Sequence, residues 1–211
     1  MDDNKSFWSR TARIYGWFTW GGKAAKGAYS ETEGKIAEHL SKEMNVLELA
    51  AGPGIFSGRI AENCNTLEVT DFSPEMIAQA RKKALPPNVT FAVADATNLR
   101  YGDDTFDAVV IANALHIMPD PARAIEEIKR VLKDNGIMIA PTFTRENIRY
   151  YLVEWLMEAF GFKTFSRWTH QTYRDFLQRQ GMTVSYEAVI TGHNFSISFV
   201  VCKQGSQPLK T

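Results

Sequence analysis

The sequence has little cysteine and no long apolar run. Its two cysteines, Cys64 and Cys202, lie far apart and form no CxxC pair, so we expect neither a zinc site nor a disulfide framework. Such cysteine usage is typical of a reducing compartment, and we expect a cytoplasmic protein. No uncharged stretch approaches the roughly 20 residues that span a bilayer. The first residues, MDDNKSFWSR, lack the apolar core of a signal peptide.

The sequence also lacks net charge. Lys plus Arg and Asp plus Glu both number 24, and no dense Lys/Arg run is present, so we expect no nucleic-acid partner. What remains is ordinary globular composition, with 45% hydrophobic and 23% charged residues in a chain of 211. This length suits one medium domain with a sizeable core.

Short apolar runs alternate with helical patterns through the middle of the chain. The runs are 46–49, 67–71, 89–95, 106–113 and 136–143. The sequence Ser73-Pro74-Glu75 is typical of a helix start, and we expect that helix to end near Ala84. A second helix is predicted over 120–133 and is closed by the turn Asp134-Asn135-Gly136. Buried strands alternating with helices predict a parallel sheet covered on both faces.

The C-terminal part departs from this rhythm. Helical stretches at about 147–160 and 170–180 precede two apolar runs, 182–191 and 195–203. Only three residues join these runs, too few for a crossover helix, so they must form an antiparallel hairpin. The predicted fold is α/β: a Rossmann-like, doubly wound, seven-stranded sheet, mostly parallel, with an antiparallel C-terminal hairpin.

The stretch VLELAAGPG (46–54) ends the first predicted strand in a glycine turn. Gly52 and Gly54 would let a ligand approach the backbone, and such a turn often requires positive φ. A hydride-carrier motif would read GxGxxG, whereas here Ser57 takes the third position. Alone, the turn fits a nucleotide site and a plain tight loop equally well.

Carboxylates at later strand ends favour a nucleotide. Asp71 ends the second strand, where it could accept both ribose hydroxyls; the alternative is a helix N-cap, a role that Ser73 fills better. Asp95 could take the exocyclic amine of adenine, with the backbone N–H of Ala96 beside it. Glu48 lies inside the first strand, where a charge is costly unless it is paired.

Four stretches resemble the class I S-adenosylmethionine-dependent methyltransferases in order and spacing: ELAAGPG, VTDFSPEMIAQA, VADATNLRYGDDTFDAVVIANALHIM and IKRVLKDNGIMIAPTF. The resemblance covers roughly residues 45–143. It is nearest to the small-molecule branch related to ubiquinone and menaquinone biosynthesis methyltransferases. It implies S-adenosylmethionine as cofactor, S-adenosylhomocysteine as product, and a small-molecule acceptor of lipophilic or quinone-like kind.

The resemblance also implies roles for individual residues. Around the methionine part and the ribose it places Glu48, Ala50, Gly52 and Gly54, with Asp71 on the ribose hydroxyls. It places Phe72 beside the adenine, Asp95 and Ala96 at the adenine edge, and Asn113 on the methionyl portion. Ala50 stands where the family usually has its first glycine.

Two residues are candidates for the chemistry itself. His116 follows the fourth strand and could act as general base; the alternative is a buried, hydrogen-bonded histidine at a helix start. Tyr15 belongs to the aromatic segment 7–20, for which three roles stay open: core packing, a lid in which Tyr15 touches the donor, or a membrane-surface anchor. His170 has no predicted role.

These interpretations divide one methyltransferase domain, residues 1–211, into three parts. They are an N-terminal helical cap or lid (1–44), a donor-binding core (45–143), and an acceptor-side insert with the terminal hairpin (144–203). Two other functions stay open. One is a small NAD(P)-dependent oxidoreductase, and the other is a non-catalytic module that binds S-adenosylmethionine.

Overall fold

A computed structural model describes residues 23–146, 163–192 and 195–205. The aromatic segment 7–20, with Tyr15, and the helix expected at 147–160 lie outside these residues. Within them, no helix combines the length and the apolar character that crossing a bilayer requires.

Five parallel strands form the first part of the sheet, in the spatial order β3-β2-β1-β4-β5. They are β1 (Asn45–Leu49), β2 (Thr66–Asp71), β3 (Val89–Val93), β4 (Phe106–Ile111) and β5 (Leu132–Ile139). The helices of this part are α1 (Lys23–Glu38), α2 (Ser57–Ala61), α3 (Pro74–Ala80) and α4 (Pro121–Val131), and a short 3₁₀ turn spans Leu115–Ile117. Since β1 lies between β2 and β4, the strand order reverses beside it, which is where such sheets bind ligands.

The C-terminal part adds antiparallel strands. It contains β6 (Thr142–Thr144), α5 (His170–Arg179), β7 (Met182–Thr191) and β8 (Ser196–Gln204). β7 pairs with β8 along one edge, while β5 and β6 both pair with β8 and so share its other edge. Among the described residues the sheet thus has eight strands where the sequence predicted seven, because the single run predicted over 136–143 is divided between β5 and β6. The mostly parallel sheet with a terminal antiparallel hairpin is confirmed.

Alternate residues of the central strands face two separate cores. Leu47 and Ile111 pack on the face covered by α4 and α5, together with the fully buried Tyr173. Val46 and Val110 pack on the opposite face, together with Ile36 of α1 and Ile60 of α2. Burial on both faces explains why these strands read as continuous apolar runs rather than as alternating ones.

Strand β3 differs from its prediction as a buried strand. Within the described part of the chain it pairs with β2 alone, and Val93 at its end is 55% exposed. An apolar run of five residues does not distinguish an edge strand from a central one, because pairing depends on the rest of the chain.

Helix starts were predicted better than helix ends. Ser73 caps α3 by accepting a hydrogen bond from the Met76 amide, but the helix ends at Ala80 rather than near Ala84. After α4, strand β5 begins at once with Leu132. The predicted turn around Asn135 is accommodated inside β5 as an irregularity in its pairing with β4.

We expect Tyr173→Phe to lower the free energy of unfolding by about 1–2 kcal/mol. The Tyr173 hydroxyl donates to the carbonyl oxygen of Ala140 at 3.0 Å in a fully buried site, so its removal leaves an acceptor without water or partner. Urea denaturation measures the change. Tyr101→Phe is the control, since the Tyr101 hydroxyl donates to Glu68 in a partly exposed site. Equal losses in the two variants would contradict the expectation.

Candidate functional site

A cleft opens at the carboxyl ends of β1, β2 and β4. We call it the strand-tip cleft; counted out to open solvent it encloses about 640 Å³. Six of the predicted cofactor residues line it: Glu48, Ala50, Gly52, Asp71, Phe72 and Asn113. The sheet thus brings together residues from three strands that are distant in sequence.

The loop after β1 has a left-handed backbone at three positions. The φ angles are 51° at Ala50, 56° at Gly52 and 72° at Gly54. A Cβ on Gly52 would meet no atom of the described residues within 4 Å, so this side of the loop leaves room for a ligand. Gly54 does not line the cleft, but a Cβ there would lie 3.0 Å from the Ser57 hydroxyl and 3.2 Å from Cβ of Ala80. Glycine is therefore required at 54 for packing and conformation together.

The carboxylate of Asp71 joins two loops. One oxygen accepts from the Gly52 amide at 2.8 Å and the other from the Ser73 amide at 2.9 Å. Burial raises the pKa of Asp71 to about 6 against the opposing effect of these backbone hydrogen bonds. Each carboxylate oxygen has a second lone pair, so Asp71 can still accept from ligand hydroxyls.

Glu48 is buried at the base of the same cleft. The Ser57 hydroxyl donates to its carboxylate at 2.5 Å. Burial raises the pKa of Glu48 to about 7; the hydrogen bond from Ser57 and the charge of Lys83 act in the opposite direction. The sequence analysis treated Ser57 only as the residue in the third glycine position. Its hydroxyl is the feature that could have indicated a hydrogen-bond partner for the buried Glu48 carboxylate.

Lys83 bonds to the loop beside this site, a contact that the sequence analysis missed. Its ammonium group donates to the Gly54 carbonyl oxygen at 2.5 Å. Burial lowers the pKa of Lys83, while the charges of Glu48 and Glu33 raise it. Lys83 follows α3 in sequence, and nothing in the local pattern shows that it turns back onto the loop after β1.

Asn113 gives the cleft an unpaired polar atom. Its backbone N–H donates to the Pro141 carbonyl oxygen at 2.8 Å. Its φ is 53°, a left-handed conformation that asparagine tolerates better than most residues. Its side-chain oxygen is buried and has no hydrogen-bond partner among the residues that the structure describes. A buried acceptor at the edge of a cleft fits a ligand that brings a donor to it.

Asp95 and Ala96 do not line the strand-tip cleft. The carboxylate of Asp95 accepts from both the amide and the hydroxyl of Thr97, which closes a local turn on the exposed surface. Ala96 is buried in the core on the α4 side. Their assignment to the adenine edge stays a prediction.

His116 has the geometry of a buried, hydrogen-bonded histidine. It lies in the 3₁₀ turn, and its Nδ1 is 2.9 Å from the Thr142 hydroxyl. Burial lowers the pKa of His116 to about 3, so the ring is neutral at physiological pH. Its neighbours Asn113 and Ile117 line the cleft, whereas His116 is not among the described lining residues. The catalytic roles of His116 and Tyr15 stay predictions.

Four aromatic residues extend from the cleft towards His116. They are Tyr29, Phe56, Phe143 and Phe195, and we call them the aromatic wall. Tyr29 lines the cleft and stacks on Phe56 with ring centroids 5.7 Å apart. Phe195 lies 6.4 Å from Tyr29 and 5.3 Å from Phe143, and His116 lies 5.7 Å from Phe143. The sequence did not predict this wall, because its members come from α1, the loop after β1, β6 and the hairpin.

Comparison with known proteins shows which family the central part of the chain matches. Residues 47–140 match the methyltransferase domain family. Over 100 residues, 47% of the chain, the sequence is 37% identical to a demethylmenaquinone methyltransferase of Clavibacter sepedonicus. The match covers 41% of that protein, and the chain spans less than half the length of the curated relatives it matches.

Two solved structures illustrate proteins with a similar fold. A complex between the Haloferax volcanii Trm112 methyltransferase activator and a methyltransferase is similar with a TM-score of 0.76 at 22% identity, over 97% of this chain and 99% of that one. DhpI in complex with SAH is similar with a TM-score of 0.73 at 20% identity, over 97% and 96%. At these identities the likeness shows the fold alone.

The match over 47–140 includes every strand tip of the cleft. The prediction of a class I methyltransferase domain of the S-adenosylmethionine-dependent kind is therefore confirmed for this segment. The strand order and the terminal hairpin confirm the Rossmann-like fold.

We expect Ala50→Gly to raise the free energy of unfolding by about 0.5–1 kcal/mol. The left-handed conformation at Ala50 costs about 1–2 kcal/mol for a residue with a Cβ, part of which is offset by the greater freedom of glycine in the unfolded chain. Ala51→Gly is the matched control; because φ is not positive there, it should lower the free energy by about 0.5–1 kcal/mol. Chemical denaturation compares the three proteins. An Ala50→Gly variant no more stable than the parent would show that the loop is not strained.

We expect the stability difference between the parent and Glu48→Gln to depend on pH. Between pH 4.5 and about 7 the folded state retains a proton on Glu48 that the unfolded chain has released, so the parent loses stability as pH rises. Over this window the free energy of unfolding of the parent, taken relative to that of Glu48→Gln, should fall by up to about 3 kcal/mol. Denaturation at a series of pH values measures it.

Glu127→Gln serves as the control of opposite sign. A hydrogen bond from Arg130 lowers the pKa of Glu127, so its contribution is present above the ordinary pKa of glutamate and is lost as pH falls. If the stability differences between the parent and each variant changed with pH in the same direction, this would contradict a buried Glu48 that stays protonated up to a pH of about 7.

Proposed function

Because residues 47–140 form a methyltransferase domain, we propose that the chain transfers a methyl group from S-adenosylmethionine to a small-molecule acceptor. The supporting observation is the meeting of three groups in one cleft: the Asp71 carboxylate, the open face of Gly52 and the unpaired side-chain oxygen of Asn113. We further propose that the protein works in the cytoplasm.

The residues of the strand-tip cleft suit the parts of such a donor. Asp71 would accept the ribose hydroxyls through its remaining lone pairs, with Phe72 beside the adenine. Glu48 and the Asn113 oxygen would take the methionyl ammonium group, directly or through water, and Gly52 would allow close approach. When bound, S-adenosylmethionine supplies an electrophilic methyl group on a sulfonium centre.

For the acceptor we propose a lipophilic, quinone-like molecule placed against the aromatic wall. Tyr29 stands at the cleft and Phe195 and Phe143 continue from it, so an aromatic ring could stack there while it faces the donor. The demethylmenaquinone methyltransferase relative supports this class of acceptor.

Positioning would supply most of the rate acceleration, since methyl transfer is an in-line displacement that needs few catalytic side chains. His116 is neutral and can accept a proton, but a pKa of about 3 makes it a weak base. We therefore propose that His116 acts as a hydrogen-bonding group held by Thr142. Residues 1–44, with Tyr15, would form an N-terminal cap or lid, residues 45–143 the donor-binding core, and residues 144–203 the acceptor-side insert with the terminal hairpin.

We expect Asp71→Asn to weaken binding of S-adenosylhomocysteine about 10- to 100-fold, because it removes the charge that strengthens hydrogen bonds from the ribose. Isothermal titration calorimetry measures the affinity, and circular dichroism checks the fold. Asp103→Asn is the control, since Asp103 is exposed and pairs with Arg130 away from the cleft. Unchanged affinity in Asp71→Asn would mean that the ribose binds elsewhere.

The same titration with NADH separates the other functions. Binding of NADH alone would favour an oxidoreductase. Binding of S-adenosylhomocysteine, with no methyl transfer from S-adenosylmethionine to any of a panel of quinols, phenols and amines, would favour a non-catalytic module.

A further inference from the structure

Glu48 is a carboxylate set into the centre of the sheet. Strand β1 has β2 on one side and β4 on the other, and Glu48 pairs in register with Val69 and Val110, both fully buried. Glu48 itself is 1% exposed, yet it is one of the residues that line the strand-tip cleft. Apolar side chains therefore flank it within the sheet, and a ligand can reach it from the cleft.

The described residues do little to balance a negative charge on Glu48. The Ser57 hydroxyl donates the one hydrogen bond that its carboxylate accepts from them, and none of them forms an ion pair with it. Burial raises the pKa of Glu48 to about 7, against the hydrogen bond from Ser57 and the charge of Lys83. At pH 7 the carboxyl group is therefore protonated in about half of the unliganded molecules.

The other titratable groups of this region come from the elements packed around the cleft. From β2, Asp71 repels a charge on Glu48, and burial raises the pKa of Asp71 itself to about 6. Lys83, which follows α3, is bonded to a loop carbonyl oxygen. From α1, Tyr29 lines the cleft and Glu33 acts on Lys83. The two carboxylates of the cleft thus titrate near neutral pH, Asp71 below Glu48.

The two carboxylates would meet different parts of the proposed donor. Asp71 would meet the ribose, which is neutral. Glu48 would meet the methionyl ammonium group, together with the side-chain oxygen of Asn113, a buried acceptor that has no partner among the described residues. A positive charge beside a carboxylate favours its ionised form much more than a neutral hydroxyl does. The proton on Glu48 therefore leaves when an ammonium group arrives.

We propose that donor binding releases a proton from Glu48, because its neutral carboxyl group ionises as the ligand's ammonium group reaches it. This inference rests on the proposed function and adds that the cleft distinguishes ligands with an amino-acid group by their charge. The O–H bond of the Glu48 carboxyl breaks, its proton passes to solvent, and the carboxylate pairs with the ammonium group. The ligand keeps all its own protons, and the hydrogen bond from Ser57 stabilises the ionised form.

Binding of S-adenosylhomocysteine should therefore weaken in acid. Below pH 7 this ligand must displace a proton from Glu48, which costs about tenfold in affinity between pH 8 and pH 6. Asp71 adds about a further twofold over the same range. The probe 5′-methylthioadenosine has the adenine and the ribose but no amino-acid part, so it should lose only the twofold that belongs to Asp71. The ratio of the two affinities should thus change about tenfold.

Isothermal titration calorimetry with the full chain measures both the affinities and the proton. The two ligands are titrated at pH 8, 7 and 6, and at pH 7 in phosphate and in imidazole, two buffers that differ in their heat of ionisation. The heat of S-adenosylhomocysteine binding at pH 7 should differ between the buffers by the amount that corresponds to about half a proton released. For 5′-methylthioadenosine the difference should be several-fold smaller.

Glu48→Gln assigns the proton to its residue. Glutamine keeps the size of the side chain and fixes its neutral state, so the heat of S-adenosylhomocysteine binding should be nearly the same in both buffers. The affinity of this variant should follow the shallow pH profile of 5′-methylthioadenosine. Asp103→Asn is the matched control and should keep the proton release of the parent, since Asp103 pairs with Arg130 away from the cleft.

Three results would overturn the inference: equal heats of S-adenosylhomocysteine binding in the two buffers, an equal proton release by 5′-methylthioadenosine, or an undiminished release in Glu48→Gln. The first two need only the parent protein, so they decide the question even where the variant fails to fold. Failure of S-adenosylhomocysteine to bind the parent would overturn the proposed function as well. Normal binding with any of the three results would overturn the inference alone.

Discussion

The carboxylate of Asp71, held by the amides of Gly52 and Ser73, is the constraint on which the strand-tip cleft depends. It joins the loop after β1 to the loop after β2 and so fixes the opening between them. Two backbone hydrogen bonds ordinarily lower the pKa of a carboxylate, yet burial outweighs them and raises the pKa of Asp71 to about 6. The backbone hydrogen bonds of Asp71 therefore do not fully offset the cost of its burial, which agrees with the proposed role of this carboxylate at the ribose.

The sequence predicted the parts of the site that follow from strand order. When apolar runs alternate with helices, the residues at strand ends must meet at one edge of the sheet, and this suffices for Gly52, Asp71 and Asn113. The antiparallel hairpin was equally predictable, because three linking residues leave no room for a crossover. These inferences need only chain connectivity and the length of a loop.

The remaining features depend on contacts that no local pattern encodes. Lys83 reaches back to the carbonyl of Gly54, and the aromatic wall draws Tyr29 and Phe195 from opposite ends of the described chain. Strand β3 is exposed because it lies at the end of the strand order, and a local sequence pattern does not show which strand takes that place. Asp95 is a different case, since its assignment to the adenine edge, made from its strand-end position and from the resemblance, stays a prediction; its carboxylate accepts from the amide of Thr97, two residues on. Local hydrogen bonding competes with any long-range role for a short acidic side chain.

The charges of the cleft bear on the choice between a methyl donor and a dinucleotide. A dinucleotide places its pyrophosphate at the turn after the first strand, where backbone amides and a helix N-terminus receive it. Here the helix α2 begins at Ser57, whose hydroxyl is engaged by the Glu48 carboxylate, and the Gly52 amide is engaged by Asp71. An anionic ligand would therefore meet two carboxylates instead of free donors. Burial raises the pKa of both, and a ligand that carries an ammonium and a sulfonium charge would stabilise their ionised forms. The substitution of serine for a third glycine thus changes the electrostatics of the turn, and it favours a cation where the glycine motif favours a phosphate.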